Sequence, residues 1–346
     1  MITGGRRPAA RTDERTAMSE DQREASVDPA VEAIRAAREG RLSRFTAGSP
    51  DDPAQRLIAL LDVEGNGPDS FRVENAANGF GGDRLFGGQV AAQSLRAATQ
   101  TVDVDHHVHS LHAYFLRPGR PGVPIIFDVE RTRDGRSFSS RRVLAHQNDE
   151  VIFDATVSFH VREDGPDYQL PIASDVPDPD EAPHRMLFVP EEAIPFLPME
   201  MKEVGAVGPD ERGWYPSTRR AWTRIKGRIT DDPIVHLCLL TYLSDMGAVF
   251  AAMPPTTERP WEKLMGASLD HAIWFHRPLR ADEWFLYDLH SLSNAGSRGL
   301  ARGTMHSADG VLGVSIVQEA LLRSFDPAKA KPPPAPPADA APETKT

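Results

Sequence analysis

Two stretches of this chain repeat one another, and the repeat dictates its architecture. Phe115-Leu116-Arg117-Pro118 returns as Phe275-His276-Arg277-Pro278, 160 residues later. With one residue inserted, Gly135 then pairs with Gly296, Arg141 with Arg302 and Asn148-Asp149 with Asp309-Gly310, at an offset of 161 that runs without a gap into a strand in each copy. In the first strand Val151, Phe153, Ala155, Val157, Phe159 and Val161 alternate with Ile152, Asp154, Thr156, Ser158 and His160, the period of a half-buried strand. In the second the matching face is Leu312, Val314, Ile316, Gln318, Ala320 and Leu322, with one polar member. A chain of 346 residues with this duplication reads as two copies of one α+β unit.

Each copy opens with an apolar helix and continues into long strands. The first helix is predicted over about Gly88 to Thr99, after a Gly-rich turn at Phe86-Gly87-Gly88. The second is predicted over about Pro233 to Ala252, where Ile234, Leu237, Cys238, Leu240, Tyr242, Met246, Val249 and Phe250 leave no polar face. Such a helix must be enclosed, and an antiparallel sheet wrapped around it is the layer solution. Joining the two units edge to edge also removes exposed strand edges. The halves are placed at 52–164 and 226–325, with 165–225, rich in Pro, Asp and Glu in its early part and poorly periodic, as a crossover linker with some local structure. Residues 1–51 and the Pro/Ala-rich 326–346 are expected to be disordered, apart from a short helix over 29–38 begun by Asp28 and Pro29.

Composition narrows the function classes. Fifty acidic against 39 basic side chains give a net charge of −11, which argues against broad nucleic-acid binding while leaving room for a local basic pocket. No apolar run reaches the roughly 20 residues of a membrane span. A single cysteine, Cys238, excludes a disulfide framework and Cys-cluster metal sites and fits a reducing, cytoplasmic setting. Arg6-Arg7 is not followed by an apolar segment, so no secretory signal is read there, and the terminal Glu-Thr-Lys-Thr matches no address signal.

Polar residues in apolar patterns are the candidates for chemistry. Asp245 falls within the enclosed helix, one turn from Thr241, Tyr242, Ala248 and Val249. A carboxylate there needs hydrogen-bond donors or has its pKa raised by desolvation, as in a catalytic base; the plain alternative is a helix cap or break at Ser244-Asp245. Gln318 stands where the first copy has Val157, and its amide could orient a water or a carbonyl; the alternative is an edge Gln paired with backbone. Ser268 carries less weight alone. His106, His107, His109 and His112 look like a metal cluster, yet they lie on a strand without a carboxylate at ligand spacing, and no metal or cofactor is expected. Gly266-Ala267-Ser268-Leu269-Asp270 lacks the second glycine of a nucleophile elbow, and no phosphate-binding Gly-rich loop is present.

Six blocks occur in order: Phe86 to Gln89, His109 to Pro118, Tyr242 to Asp245, Ser268 to His271 with Trp274 to Pro278, Gly296 to Gly299, and Asp309 to Leu312 through Val317 to Glu319. Together they resemble type II acyl-CoA thioesterases over about 55–323. The resemblance implies a double hotdog fold and an acyl-CoA hydrolase, without cofactor, acting on medium- to long-chain substrates. It implies that Asp245, Ser268 and Gln318 hold the hydrolytic water, Ser268 standing where other members of the family have Thr. Gly87-Gly88, at a helix N-terminus, is a candidate donor to the oxyanion. The resemblance also suggests a homo-oligomer. The alternatives are a silent acyl-CoA-binding protein, or an enoyl-CoA hydratase-like enzyme, whose Asp and His around an Asn-Pro loop are not found at Asp245 to Val249.

Overall fold

The computed structural model describes residues 52–75, 84–183, 191–205, 210–211, 218–255 and 264–324. The expected disorder of 1–51 and 326–346, and the helix over 29–38, fall outside these residues. The first half contains α1 (Pro53–Leu61), β1 (Glu64–Gly67), β2 (Ser70–Val73), α2 (Gly87–Thr99), β3 (His106–Phe115), β4 (Ile125–Asp134), β5 (Phe138–Gln147) and β6 (Glu150–Val161). The second contains β7 (Met199–Val204), β8 (Thr218–Ile225), α3 (Pro233–Ser244), α4 (Ala248–Ala251), β9 (Leu264–Ser268), β10 (Asp270–Phe275), β11 (Phe285–Ala295), β12 (Arg298–Ser307) and β13 (Leu312–Ser324).

Among the described residues the strands form one 13-stranded antiparallel sheet in the order β1-β2-β4-β5-β6-β3-β10-β13-β12-β11-β8-β7, with β9 added on β13. The order reads alike outward from the centre, where β3 and β10 pair from Asp270 against Tyr114 to Trp274 against Ser110. The two halves thus share their inner edges, and the duplication is seen directly as an α+β double hotdog. One hydrophobic core runs through both halves and takes in α2, α3 and the inward residues of the long strands. In β6 and β13 the inward residues are those expected from the alternation, and Gln318 lies among them, fully buried.

Local chemistry starts and stops the helices. Asp52 accepts the Gln55 N–H at 3.0 Å ahead of Pro53, and Asp232 accepts that of Ile234 at 2.9 Å ahead of Pro233, both caps followed by proline at the first helical position. The helix predicted over Pro233 to Ala252 is instead two segments. Gly247 adopts φ +82°, a left-handed conformation that ends the first segment and begins α4. The break is thus real, and Asp245 is the residue immediately after α3.

The strand register corrects two details. Arg141 faces Val157 and Ala301 faces Gln318, so Arg141 corresponds to Ala301, not Arg302. The inserted residue lies in the β12–β13 turn, where His306 and Leu312 are paired, against His146 and Val151 in the first half. Val157 and Gln318 remain equivalent. Arg141 is buried and ties the chain beyond α2 to the sheet, donating to Thr101 Oγ1 and Thr101 O at 2.9 Å and to the carbonyls of Arg133 and Ser140. The second correction concerns 165–225. It contains β7 and β8, with β8 paired to β11 from Phe285 against Thr223 to His290 against Thr218. Lys202 and Glu203, adjacent in β7 and therefore on opposite faces, are both buried, so charge stands at buried positions and the apolar alternation that would mark a strand is lost. Lys202 Nζ is satisfied by Pro179 O at 2.6 Å. No helix among the described residues is long and apolar enough to cross a membrane.

Candidate active site

The end of α3, the end of β9 and the middle of β13 converge on one carboxylate. Asp245, 6% exposed, accepts Ser268 Oγ–H at 3.1 Å and Gln318 Nε2–H at 3.0 Å on Oδ1. On Oδ2 it accepts the Gly88 backbone N–H at 2.9 Å. The buried carboxylate thus has hydrogen-bond donors on both of its oxygens. Gln318 Nε2 also donates to Ser268 Oγ at 2.9 Å, so all three sequence candidates share one hydrogen-bonded cluster. Ser268 reaches it because β9 and β10 follow one another along β13. Ser268 pairs with Ala320, two residues from Gln318 and on the same face.

The third side of the cluster is the N-terminus of α2. Phe86 makes no side-chain cap, and the Asp245 carboxylate takes the Gly88 N–H in its place, at the positive end of the helix. This approach requires glycine. A Cβ on Gly88 would lie 2.3 Å from Tyr242 O, and one on Gly87 would lie 2.8 Å from Asp245 Oδ2 and 2.7 Å from the Phe115 ring. The Gly88 N–H, a candidate oxyanion donor in the sequence, is thus directed at the carboxylate.

Two further buried side chains belong to the cluster and were not singled out by sequence. His271 places Nδ1 2.6 Å from Gln318 Oε1 and Nε2 2.7 Å from Ser244 Oγ. Tyr287 donates its hydroxyl to Ser244 O, and burial first, then the charge of Asp245, push its pKa well above the ordinary tyrosine value, keeping it a donor. The signal for His271 was the alternation in β10, where His271, Ile273 and Phe275 point inward. The β3 histidines are used otherwise: His109 Nε2 meets Ser158 Oγ at 2.9 Å and His112 packs edge-on against Trp274. Among the described residues no group of three His, Cys, Asp or Glu could hold a metal. Burial pushes the Cys238 thiol up to about 12, so it stays protonated and inert.

Burial also holds His236 and His271 below the ordinary value of 6.5, in His271 partly offset by the Asp245 charge. A group whose folded-state pKa is depressed contributes its full stability above its unfolded value and loses it as the pH falls toward the folded value. The melting temperature is therefore expected to hold above pH 6.5 and to decline as the pH drops below it. Thermal melts across that range check this, and a rise on acidification would contradict it.

A cavity of about 490 Å³ opens over Asp245 and Ser268. Val90, Phe115, Phe153, Met246, Val249 and Phe250 give it apolar walls, and Arg84 and Arg117 also line it. Gln318 is not part of this lining; it stands behind, fully buried.

Comparison with known proteins matches both halves of the chain to one family. Residues 77–160 match the acyl-CoA thioesterase N-terminal domain, and residues 210–321 match the acyl-CoA thioesterase family. Acyl-coenzyme A thioesterase 8 of Rattus norvegicus is 38% identical over 260 residues, 70% of this chain and 81% of that protein. The crystal structure of an acyl-CoA thioesterase II, TesB2, from Mycobacterium marinum is 36% identical, with a TM-score of 0.66 over 80% of this chain and 100% of that one. A hot-dog-fold protein from Alicyclobacillus acidocaldarius, 19% identical, gives a TM-score of 0.66 over 78% of this chain and 99% of its own, a likeness of fold. With both halves matched and relatives of this identity covered over most of their length, the chain belongs to the type II acyl-CoA thioesterases, hydrolases of the acyl-CoA thioester.

Proposed function

We propose that the protein hydrolyses medium- to long-chain acyl-CoA by direct attack of a water held at Asp245 and Ser268, with Gln318 fixing both from behind. The observation that carries the reading is the convergence of Ser268, Gln318 and the Gly88 N–H on one buried carboxylate at the floor of an apolar cavity. Asp245 takes a proton from the water as its oxygen bonds to the thioester carbonyl carbon. The tetrahedral intermediate then collapses with cleavage of the C–S bond, and the proton passes to the departing sulfur. The thioester oxygen lies toward the N-terminal end of α2, whose positive end favours the developing charge. No side chain forms a bond to the acyl group.

The acyl chain lies along Phe115, Phe153, Val249 and Phe250, and Arg84 and Arg117 offer positive charge to the coenzyme A phosphates. We place the enzyme in the cytoplasm as a homo-oligomer, a setting supported by the lone, buried thiol of Cys238. Release of free coenzyme A, followed with a thiol reagent across acyl chains of increasing length, tests the reading. We expect kcat/KM to be highest on medium to long chains, as the apolar walls suggest. A preference for acetyl-CoA would overturn the chain-length reading, and acyl-CoA binding without release would overturn the chemistry.

A further inference from the structure

Gln318 can serve Asp245 and Ser268 only in one of its two amide orientations. With Nε2 toward them it donates one proton to Asp245 Oδ1 at 3.0 Å and the other to Ser268 Oγ at 2.9 Å. Reversed, it would set its carbonyl oxygen against the carboxylate, acceptor against acceptor. Isolated, the two ends of an amide are nearly the same shape, so something must hold the orientation. At Oε1 the neighbour is His271 Nδ1, at 2.6 Å, on a side chain that is 1% exposed.

We propose that His271 is the positioning residue of this site: its Nδ1–H donates to Gln318 Oε1 and thereby locks the amide that presents Nε2 to Asp245 and Ser268. The inference rests on the functional reading above and deepens it. Because Oε1 only accepts, the proton must be on Nδ1, and a neutral ring then leaves Nε2 as an acceptor. Ser244 supplies the matching donor. Its hydroxyl has one proton and two acceptors in reach, His271 Nε2 at 2.7 Å and Thr241 O at 2.8 Å, and giving it to Nε2 fixes the tautomer. The chain of bonds Ser244 to His271 to Gln318 to Asp245 connects the end of α3 back to itself through β10 and β13. Ser244 and Asp245 are consecutive, so the carboxylate and the group that sets the tautomer move as one unit.

The test is a kinetic cycle with His271→Leu, His271→Asn and Gln318→Leu, with melting temperatures taken alongside. His271→Leu should lower kcat by about 10- to 100-fold, the range set by leaving a buried acceptor unpaired, with KM changed by less than about twofold. His271→Asn, whose amide can put an N–H near the place of Nδ1, should recover most of that loss. In the Gln318→Leu background His271→Leu should cost nothing further, because its effect runs through Gln318. An equal loss in both backgrounds would show a structural role only, and unchanged turnover would equally overturn the proposal. Wild-type turnover in Gln318→Leu itself would instead overturn the parent reading of the site. The wild-type enzyme gives an answer independent of whether the variants fold: nitrogen NMR of its histidines should show His271 protonated at Nδ1 and bare at Nε2, and the reverse tautomer would refute the assignment.

Discussion

Asp245→Asn is expected to abolish most hydrolysis, lowering kcat by about 10²- to 10⁴-fold, while acyl-CoA still binds. Asparagine keeps the volume and can still accept the Ser268 proton and one Gln318 proton on its oxygen. It cannot take a proton from water. It also puts an NH₂ group where Oδ2 now accepts the Gly88 N–H at 2.9 Å, donor against donor at the start of α2. Coenzyme A release and thermal protection by acyl-CoA, measured on the same preparation, separate the two effects. Unchanged turnover would remove Asp245 as the base; loss of binding together with turnover would mean that the carboxylate acts mainly by holding α2 in place.

Gly88→Ala should have a large effect for a substitution that adds only a methyl group. The new Cβ would lie 2.3 Å from the Tyr242 carbonyl oxygen, a backbone atom that cannot turn aside. Either α2 or α3 must retreat, and overpacking of this kind costs about 3 kcal/mol. Retreat of α2 also draws the Gly88 N–H from Asp245, so turnover should fall with stability. Gly65→Ala is the matched control, because nothing lies within 4 Å of its added Cβ. It should change stability by less than about 0.5 kcal/mol. Denaturant midpoints of both variants check the pair, and equal midpoints would contradict the close approach of the two helices.

What could be read in the sequence, and what could not, follows from where each residue sits. Gln318 stood out because β13 repeats β6, and the repeat exposes a polar residue on a face that is otherwise apolar. Asp245 stood out for the same reason in an enclosed helix, and the helix break read there is what the chain shows, in the place where the proposed mechanism puts its base. The chain turns at Gly247, and the turn carries Asp245 to the start of α2. Ser268 had no pattern of its own and rested on the family resemblance, since its place depends on β9 and β10 running in succession along β13. His271 was in the quoted block but without a role, because its partners are 27 and 47 residues away. The strand β7 was missed because buried Lys202 and Glu203 interrupt its apolar pattern. Each is satisfied by a distant group, Lys202 by Pro179 O and Glu203 by Arg219, which no local periodicity can report.

In the mechanism we propose, water and not the Asp245 carboxylate attacks the thioester carbon. A single turnover in heavy-oxygen water, with enzyme in excess over acyl-CoA, tests it most directly. Direct attack predicts that the first fatty acid released carries one heavy oxygen and that the enzyme remains unlabelled. Unlabelled fatty acid, with the heavy oxygen found in the peptide that contains Asp245, would show attack by the carboxylate itself and contradict the account.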